Sequence, residues 1–479
     1  MKKVELVFVP ALGMGHLVSM VEIAKLLVAR DDRLSITVLI LNIPVETEFS
    51  SYVKSLEASN SVSERIRFVH LPPDKSGDIN SNQAVYFLST FYENQKPYVR
   101  DAVAKLIRSQ SGPDSPRLAG FVIDMFCTTM VDVANEFQIP TYVFITSGTG
   151  FLSLMSHLKS LVDEQNFDPT EFKDDPNSQL VVPGFVNPVP SKVWPGVVVD
   201  NKAIARIMVN HFRRIRGSKG ILVNTFLELE THLISNSFDE KFPPLYPVGP
   251  ILRVNHDQLG LAELDIIKWL DDQPPSSVVF LCFGSMGSFG EDQVKETAIG
   301  LEQSEQRFLW SLRKPPQKEE FPTPTDYTDC NEVLPKGILD RTAKIGKIIG
   351  WAPQAAILAH PAIGGFVSHC GWNSILESIW FGVPIATWPL YSEQQLNAFE
   401  IVKELELAVE ITIDYKKDAN VVVIAQEIKS GIKSVMESNS EIRRKVKQMS
   451  DKSRKALIDG GSSYSTLNRF INDVIENAP

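Results

Sequence analysis

Cysteine is scarce in this sequence: four occur among 479 residues, and no two of them are separated by only two residues. This pattern argues against a disulfide framework or a structural zinc site, and it predicts a protein of a reducing compartment, the cytoplasm. No apolar run approaches the roughly 18 residues of a membrane-spanning helix, so no membrane span is predicted. The 48 basic residues are outnumbered by 58 acidic ones, and this net charge of −10 argues against nucleic acid as a partner.

The composition, 43% hydrophobic and 22% charged, is that of an ordinary globular chain long enough for two or three domains. Short apolar runs alternate with helix-like periodicity in both halves, which predicts an α/β fold of two doubly wound domains that face a cleft. The strands are predicted at 4–10, 34–41, 65–71, 118–124, 141–145, 221–225, 277–283, 307–313, 365–368 and 408–413. Three further segments are predicted to lie outside this pattern: a surface insertion at 163–199, a hinge at 243–250 and a surface loop at 314–332.

The most informative stretch runs from Trp351 to Gln394. It contains a strand, a tight turn from His369 to Trp372, and a helix that opens at Asn373. A helix N-terminus offers unpaired N–H groups and a partial positive charge, so this order of elements is suited to a phosphate group. Glu377 follows Asn373 by four residues and shares its helix face, where a carboxylate can accept hydrogen bonds from sugar hydroxyls.

The same stretch resembles the signature segment of plant secondary-product glycosyltransferases, which use uridine-diphosphate sugars. The resemblance covers nearly the whole chain and rests on matching residues in this segment, namely Trp351, Ala352, Pro353, Gln354, His360, Pro361, His369, Cys370, Gly371, Trp372, Asn373, Ser374, Glu377, Gly382, Val383, Pro384, Glu393 and Gln394. It implies the GT-B fold, with an acceptor-binding domain at 1–250, a UDP-sugar-binding domain at 251–456, and a last helix at about 457–479 that packs back on the first domain.

The resemblance also implies which residues bind the donor. Trp351 would stack on uracil, Gln354 would contact uracil and ribose, and Glu377 would hold the ribose hydroxyls. The phosphates would be bound by His369, Asn373 and Ser374, and the sugar would be contacted by Trp372, Glu393 and Gln394. Ala352 belongs to the same predicted donor site. A closing glutamine such as Gln394 is associated with glucose, so UDP-glucose is the expected donor.

His16 follows the first predicted strand, at the strand end where doubly wound folds place their ligands. Histidine is suited to taking a proton near neutral pH, although a lone histidine in this place is more often structural. The resemblance implies that His16 is the general base and that Asp124, at the end of another strand, orients it. A carboxylate on one imidazole nitrogen fixes the tautomer and stabilises the imidazolium. Capping of the helix that follows is the alternative role for Asp124.

Two glycine-containing turns allow other interpretations. Gly13 and Gly15 follow a strand as in a dinucleotide fingerprint, but Val18 occupies the place of the third glycine and no acidic residue ends the second strand. A nicotinamide-dependent oxidoreductase is therefore the weaker hypothesis. The turn around Ser285 is either a simple strand–helix connection or a second anion-binding loop, and the adjacent signature segment favours a diphosphate contact by Ser285.

The favoured hypothesis is inverting transfer of a sugar, most simply glucose, to a hydroxyl of a small lipophilic acceptor such as a phenolic, flavonoid, terpenoid or hormone-like compound, with a β-O-glucoside as product. A catalytically silent nucleotide-sugar-binding protein is the alternative from another class. Five acceptor-contacting side chains are predicted from their positions near strand ends, namely Met14, Phe126, Thr146, Phe151 and Met155. No metal is expected to be required, because the chain contains no Asp-x-Asp, and nothing in the sequence suggests an obligate partner, so a monomer is expected.

Overall fold

The computed structural model describes residues 3–42, 48–58, 63–73, 84–110, 112, 115–175, 177–253, 260–316, 323–417 and 421–478. The strands, in chain order, are β1 (Val4–Val9), β2 (Leu34–Ile40), β3 (Ile66–His70), β4 (Arg117–Asp124), β5 (Thr141–Ile145), β6 (Gln179–Leu180), β7 (Val189–Pro190), β8 (Gly220–Val223), β9 (Leu245–Pro247), β10 (Val278–Cys282), β11 (Arg307–Ser311), β12 (Arg313–Lys314), β13 (Thr325–Asp326), β14 (Gly346–Ile349), β15 (Ile363–Ser368), β16 (Ile385–Thr387) and β17 (Ala408–Glu410).

The helices alternate with these strands. They are α1 (Met14–Arg30), α2 (Glu48–Ala58), α3 (Ala84–Ser109), α4 (Met130–Glu136), α5 (Thr149–Gln165), α6 (Gly196–Val199), α7 (Lys202–Ile215), α8 (Leu227–Asn236), α9 (Leu261–Asp271), α10 (Glu291–Ser304), α11 (Ile338–Thr342), α12 (Gln354–Leu358), α13 (Trp372–Phe381), α14 (Gln394–Phe399), α15 (Ala425–Met436), α16 (Glu441–Leu457) and α17 (Ser462–Glu476). Within the residues described, no helix is long and apolar enough to cross a membrane.

Two parallel sheets organise the chain. The first has the strand order β3-β2-β1-β4-β5-β8-β9, and the second has the order β14-β11-β10-β15-β16-β17. Largely apolar strands such as β1, all six residues of which are buried, are what a parallel sheet covered by helices on both faces requires; the exception in β1 is the buried Glu5, which pairs with Arg67. Each sheet reverses its strand order near the middle, as doubly wound sheets do, and such folds bind ligands beyond the carboxyl ends of the strands. The predicted α/β architecture is confirmed.

The last helix, α17, returns to the first sheet. Leu467 and Phe470 pack in one hydrophobic cluster with Val4 and Leu6 of β1. The hydroxyl of Tyr246 donates a hydrogen bond to Asp473 at 2.6 Å. This helix therefore joins the C-terminal end of the chain to its N-terminal unit, while the boundary at residue 250 stays a prediction.

Three predicted segments differ from the structure. The hinge predicted at 243–250 contains β9, the edge strand of the first sheet, because an edge strand tolerates the prolines that suggested a linker. The insertion at 163–199 is more than a surface wrap, since Trp194 and Val198 are buried in the core. Within 314–332, a short hairpin pairs β12 with β13, and residues 317–322 lie outside the described part.

Candidate active site

His16 and Asp124 meet at the carboxyl edge of the first sheet. His16 lies in the first turn of α1, directly after β1, and Asp124 ends the adjacent strand β4. The His16 Nδ1 lies 2.7 Å from Asp124 Oδ2, although 108 positions separate the two residues in sequence. The aspartate is fully buried, whereas a quarter of the histidine side chain (25%) is exposed. The structure thus brings together the predicted base and the carboxylate predicted to orient it.

A second contact determines the orientation of the carboxylate. The main-chain N–H of Phe126 donates to Asp124 Oδ1 at 3.0 Å, so Oδ2 is left for the imidazole. Burial lowers the pKa of His16, but the charge of Asp124 and its hydrogen bond outweigh burial and raise the pKa above its ordinary value. With the Nδ1 proton held by the carboxylate, the free ring nitrogen available for proton transfer is Nε2.

The turn between β15 and α13 has the predicted geometry of an anion site. Gly371 caps α13 in an extended conformation, so Trp372, Asn373 and Ser374 form the first helical turn. Glycine at positions 371 and 284 leaves room for the His369 imidazole. A Cβ on Gly371 would lie 2.6 Å from His369 Nε2, and a Cβ on Gly284 would lie 2.7 Å from the same atom. Burial lowers the pKa of His369 to about 4, so its imidazole is neutral near pH 7 and can donate one hydrogen bond. Ser285 follows Gly284 and is exposed.

Three of the predicted ribose and phosphate ligands form one cluster. Gln354 Nε2 donates to Ser374 Oγ at 2.8 Å and to Glu377 Oε2 at 2.7 Å. Burial raises the pKa of Glu377 to about 7, against the opposing effect of the Gln354 bond. In its ionised form, this buried carboxylate can accept hydrogen bonds from hydroxyl donors. Trp351 precedes Gln354 by three residues in the chain and is 48% exposed, whereas the neighbouring Ala352 is buried.

Glu393 and Gln394 follow β16 in the chain, and Gln394 begins α14. Burial raises the pKa of Glu393, and the charge of His16 acts on it in the opposite direction, which indicates that the carboxylate and the base are near each other. Gln394 Oε1 accepts hydrogen bonds from the main-chain N–H groups of Leu390 and Tyr391, at 2.9 and 3.1 Å. The Gln394 oxygen is thus used by the turn, and its amide nitrogen is the group left for a ligand.

The indole of Trp372 is buried. Its side chain is only 2% exposed, and its Nε1 donates to the carbonyl oxygen of Asn224 at 2.7 Å. The indole therefore packs against the N-terminal unit, and a sugar can be contacted only by the main-chain N–H at the first position of α13. Contact between the sugar and the main-chain N–H of Trp372 stays a prediction.

The five predicted acceptor residues fall into two groups. Thr146 Oγ1 lies 3.2 Å from His16 Nδ1, and the Phe126 ring lies 5.3 Å from the imidazole of His16. Met14 is partly buried, two positions before the histidine. Phe151 and Met155 differ from these three, since both are buried in the hydrophobic core of the N-terminal unit and Met155 has no exposed surface. Helical periodicity in α5 explains their burial better than proximity to a strand end.

Sequence reasoning missed Asn224. This fully buried side chain directly follows β8, at the same sheet edge as His16 and Asp124, and its Nδ2 donates to Asn373 Oδ1 at 3.2 Å. The sequence did contain a signal for Asn224. It is a polar residue at the end of an apolar strand, and the same pattern singled out His16 and Asp124. The site as a whole combines the predicted base, the helix start predicted to bind an anion and the carboxylate predicted to accept hydroxyl groups. Among the described residues, no group of three or more His, Cys, Asp or Glu side chains could hold a metal ion.

Comparison with known proteins agrees with this geometry. The sequence profile of the family described as "UDP-glucoronosyl and UDP-glucosyl transferase" matches residues 198–443. The chain is 57% identical to "UDP-glucose flavonoid 3-O-glucosyltransferase 6" of Fragaria ananassa, over 99% of both chains. A Siraitia grosvenorii ugt transferase solved with UDP superposes with a TM-score of 0.89 at 48% identity, over 99% of this chain and 100% of the other. A Medicago truncatula protein solved with UDP-glucose gives 0.85 at 42% identity, over 98% of each.

Proposed function

Because the chain belongs to the UDP-glucoronosyl and UDP-glucosyl transferase family, we propose that His16 is the general base with which it glucosylates a hydroxyl of a flavonoid or related phenol. The coarser activity follows from the family and its relatives: the protein is a UDP-glycosyltransferase of the plant type, with a GT-B fold, that transfers glucose to small acceptors. Membership favours transfer over both the silent binder and the nicotinamide oxidoreductase.

The reaction is a single displacement. His16 Nε2 takes the proton of the acceptor hydroxyl as its oxygen attacks the anomeric carbon from the face opposite UDP. The new carbon–oxygen bond forms while the bond to the phosphate oxygen breaks, and UDP leaves with the electron pair. An α-linked donor therefore gives a β-glucoside. Asp124, fully buried and 2.7 Å from Nδ1, stabilises the imidazolium that forms.

The leaving diphosphate develops negative charge that must be stabilised. We assign this role to the first turn of α13, where the main-chain N–H groups and the positive end of the helix dipole meet, and to the neutral imidazole of His369. Ser285 adds a hydroxyl from the facing loop. This set of donors can act without a metal ion, and we predict that none is required.

The observation that carries the proposal is the contact between His16 and Asp124. Two residues from distant parts of the chain meet at 2.7 Å at a sheet edge, with the Phe126 N–H holding the carboxylate in the orientation that leaves Nε2 of the imidazole free. If the pair served only to stabilise the fold, the His16 side chain would not need to be partly exposed. The acceptor class rests on the Fragaria ananassa relative, which is named for flavonoid 3-O-glucosylation.

The test is UDP release from UDP-glucose with flavonols and simpler phenols, for the wild type and for His16→Ala and His16→Gln. We expect acceptor-dependent turnover that falls by about two to four orders of magnitude in both variants, as removal of a general base does. His157→Ala is the matched control, since this half-buried histidine lies on α5 away from the site. Turnover that survives in both His16 variants would remove His16 from the base role.

The stereochemistry and the setting of the enzyme are tested separately. A product whose anomeric proton shows an α coupling by NMR would refute the single displacement. A cytoplasmic location and a monomeric state remain our predictions, the first because all four cysteines are free.

A further inference from the structure

Asn224 links the two units beside the reacting groups. It follows β8 of the first sheet, and its side chain and main chain contact two consecutive residues of the donor helix α13. Its Nδ2 donates to Asn373 Oδ1 at 3.2 Å, and its carbonyl oxygen accepts from Trp372 Nε1 at 2.7 Å. The proposed mechanism uses the main-chain N–H groups of this turn, whereas these contacts involve the Trp372 indole and the Asn373 side-chain oxygen, which cannot donate to a phosphate.

The chain of hydrogen bonds continues to the helix that carries the base. Asn373 Nδ2 donates to the carbonyl oxygen of Gly15 at 3.4 Å and to Ser19 Oγ at 3.3 Å. Gly15 precedes His16, and Ser19 lies one turn later in α1. A connected path therefore runs from β8, through the first turn of the donor helix, to the first turn of the catalytic helix.

Main-chain groups at both ends of this path determine which atom of each side-chain amide donates and which accepts. The N–H of Ile251 donates to Asn224 Oδ1 at 2.8 Å, so the other end of this amide must be the donor that faces Asn373. The Gly15 carbonyl can only accept, so Asn373 must present its nitrogen there and its oxygen to Asn224. Two independent constraints thus agree on one orientation for each amide.

The surroundings leave little room for either partner to move. A Cβ on Gly249 would lie 2.7 Å from Asn224 Oδ1, and one on Gly148 would lie 2.6 Å from the ring of Trp372. Asn224 is fully buried and Trp372 nearly so. Glycines at these two positions allow the close approach, so the N-terminal unit forms a fitted socket for the start of α13.

We propose that Asn224 is a positioning residue for glucosyl transfer, which holds the anion-binding start of α13 in register with the helix that carries His16. This inference rests on the proposed role of His16. Attack requires the acceptor oxygen, aligned by the base, and the anomeric carbon, held by the diphosphate, to approach within a near-attack distance. The path through Asn224 and Asn373 links the two helices that set this distance.

The test is Asn224→Asp, which is isosteric. The aspartate keeps an oxygen for the Ile251 N–H and presents a second oxygen to Asn373 Oδ1, so the middle link is broken and a negative charge is introduced at a buried position. We expect kcat to fall roughly 10- to 100-fold, as small misplacements of reacting groups do. The dissociation constant of UDP, measured by calorimetry without acceptor, should change less than twofold, since the proposed UDP ligands lie on the other unit.

The matched control is Asn187→Asp. Asn187 also joins the two units, by donating from Nδ2 to Glu404 at 2.7 Å, but it contacts neither α1 nor α13. We expect this variant to keep its kcat within twofold. Ser19→Ala is a milder second variant that loses only the last contact of the path, and its kcat should fall by about threefold or more with UDP affinity intact.

Three results would overturn the inference. One is a kcat within twofold of the wild type in Asn224→Asp. The second is a fall in kcat that matches a lower fraction of folded, UDP-binding protein, which would show a structural role only. The third is an equal fall in Asn187→Asp. If the wild type itself does not turn over phenols with UDP-glucose, or if His16→Ala remains active, the proposed function fails instead.

Discussion

Replacing Asp124 by Asn tests the base assignment most sharply, because the structure determines how the new amide would sit. The Phe126 N–H needs an acceptor at Oδ1, so the asparagine oxygen would take that place and its NH2 group would face His16 Nδ1. Nδ1 would then have to accept, which moves the imidazole proton to Nε2. The nitrogen that should take the acceptor proton would already carry one.

The expected loss follows from this change of tautomer. A correctly oriented general base contributes about 10²- to 10⁴-fold, which at 1.36 kcal/mol per tenfold corresponds to about 3–5 kcal/mol of transition-state stabilisation. We expect kcat/KM of Asp124→Asn to fall within that range while UDP affinity is unchanged. Asp132→Asn is the control, since this aspartate pairs with Lys96 and Arg214 on the surface of the same unit.

The pH profile provides a second readout with a defined sign. Activity requires neutral His16, so the rate rises with pH through the pKa of this group. Burial lowers that pKa and Asp124 raises it beyond the ordinary value, so without the carboxylate the lowering effect of burial is opposed only by the smaller effect of the Glu393 charge. The acid limb of the residual activity should move to lower pH. A kcat/KM within threefold of the wild type, or an acid limb that moves to higher pH, would refute the reasoning.

Further predictions concern the donor site and the fold. Glu377→Gln should raise KM for UDP-glucose by about 10- to 100-fold, since hydrogen bonds to a charged group contribute about 1.5–3 kcal/mol. In the wild type this KM should fall as pH rises through the pKa of Glu377, about 7, and it should be flat in the variant. Trp351→Ala should weaken UDP binding by calorimetry by about 1–3 kcal/mol without lowering Tm, because the half-exposed ring is free to stack on a base. Phe470→Ala should cost about 3–5 kcal/mol in urea unfolding, because the buried ring lies 5.1 Å from Tyr142 and 5.3 Å from Tyr246. Chelation by EDTA should leave turnover unchanged, and a loss restored by a divalent cation would contradict the metal-free mechanism.

Much of the fold was predictable because its signals are local. Apolar runs bounded by glycine or proline place β1, β5 and β15 within two residues of their observed ends, since a strand covered on both faces must be largely apolar, with Glu5 of β1 as a buried exception. The edge strand β9, within the segment predicted as a hinge, was missed because an edge strand lacks that continuous apolar signal. Met155 was assigned to the acceptor pocket from proximity in sequence, whereas the rotation of α5 turns it into the core.

The sequence by itself determined the class of fold, the place of the helix start that we predict to bind an anion and the residue types capable of the chemistry, since these depend on periodicity and on order along the chain. Only the tertiary structure decided which of those residues meet. Asp124 reaches His16 because β1 and β4 are neighbours in the sheet, and the Trp372 side chain is buried because its indole fits a socket on the other unit. Such contacts depend on strand order and on the packing of two units, which no local pattern encodes.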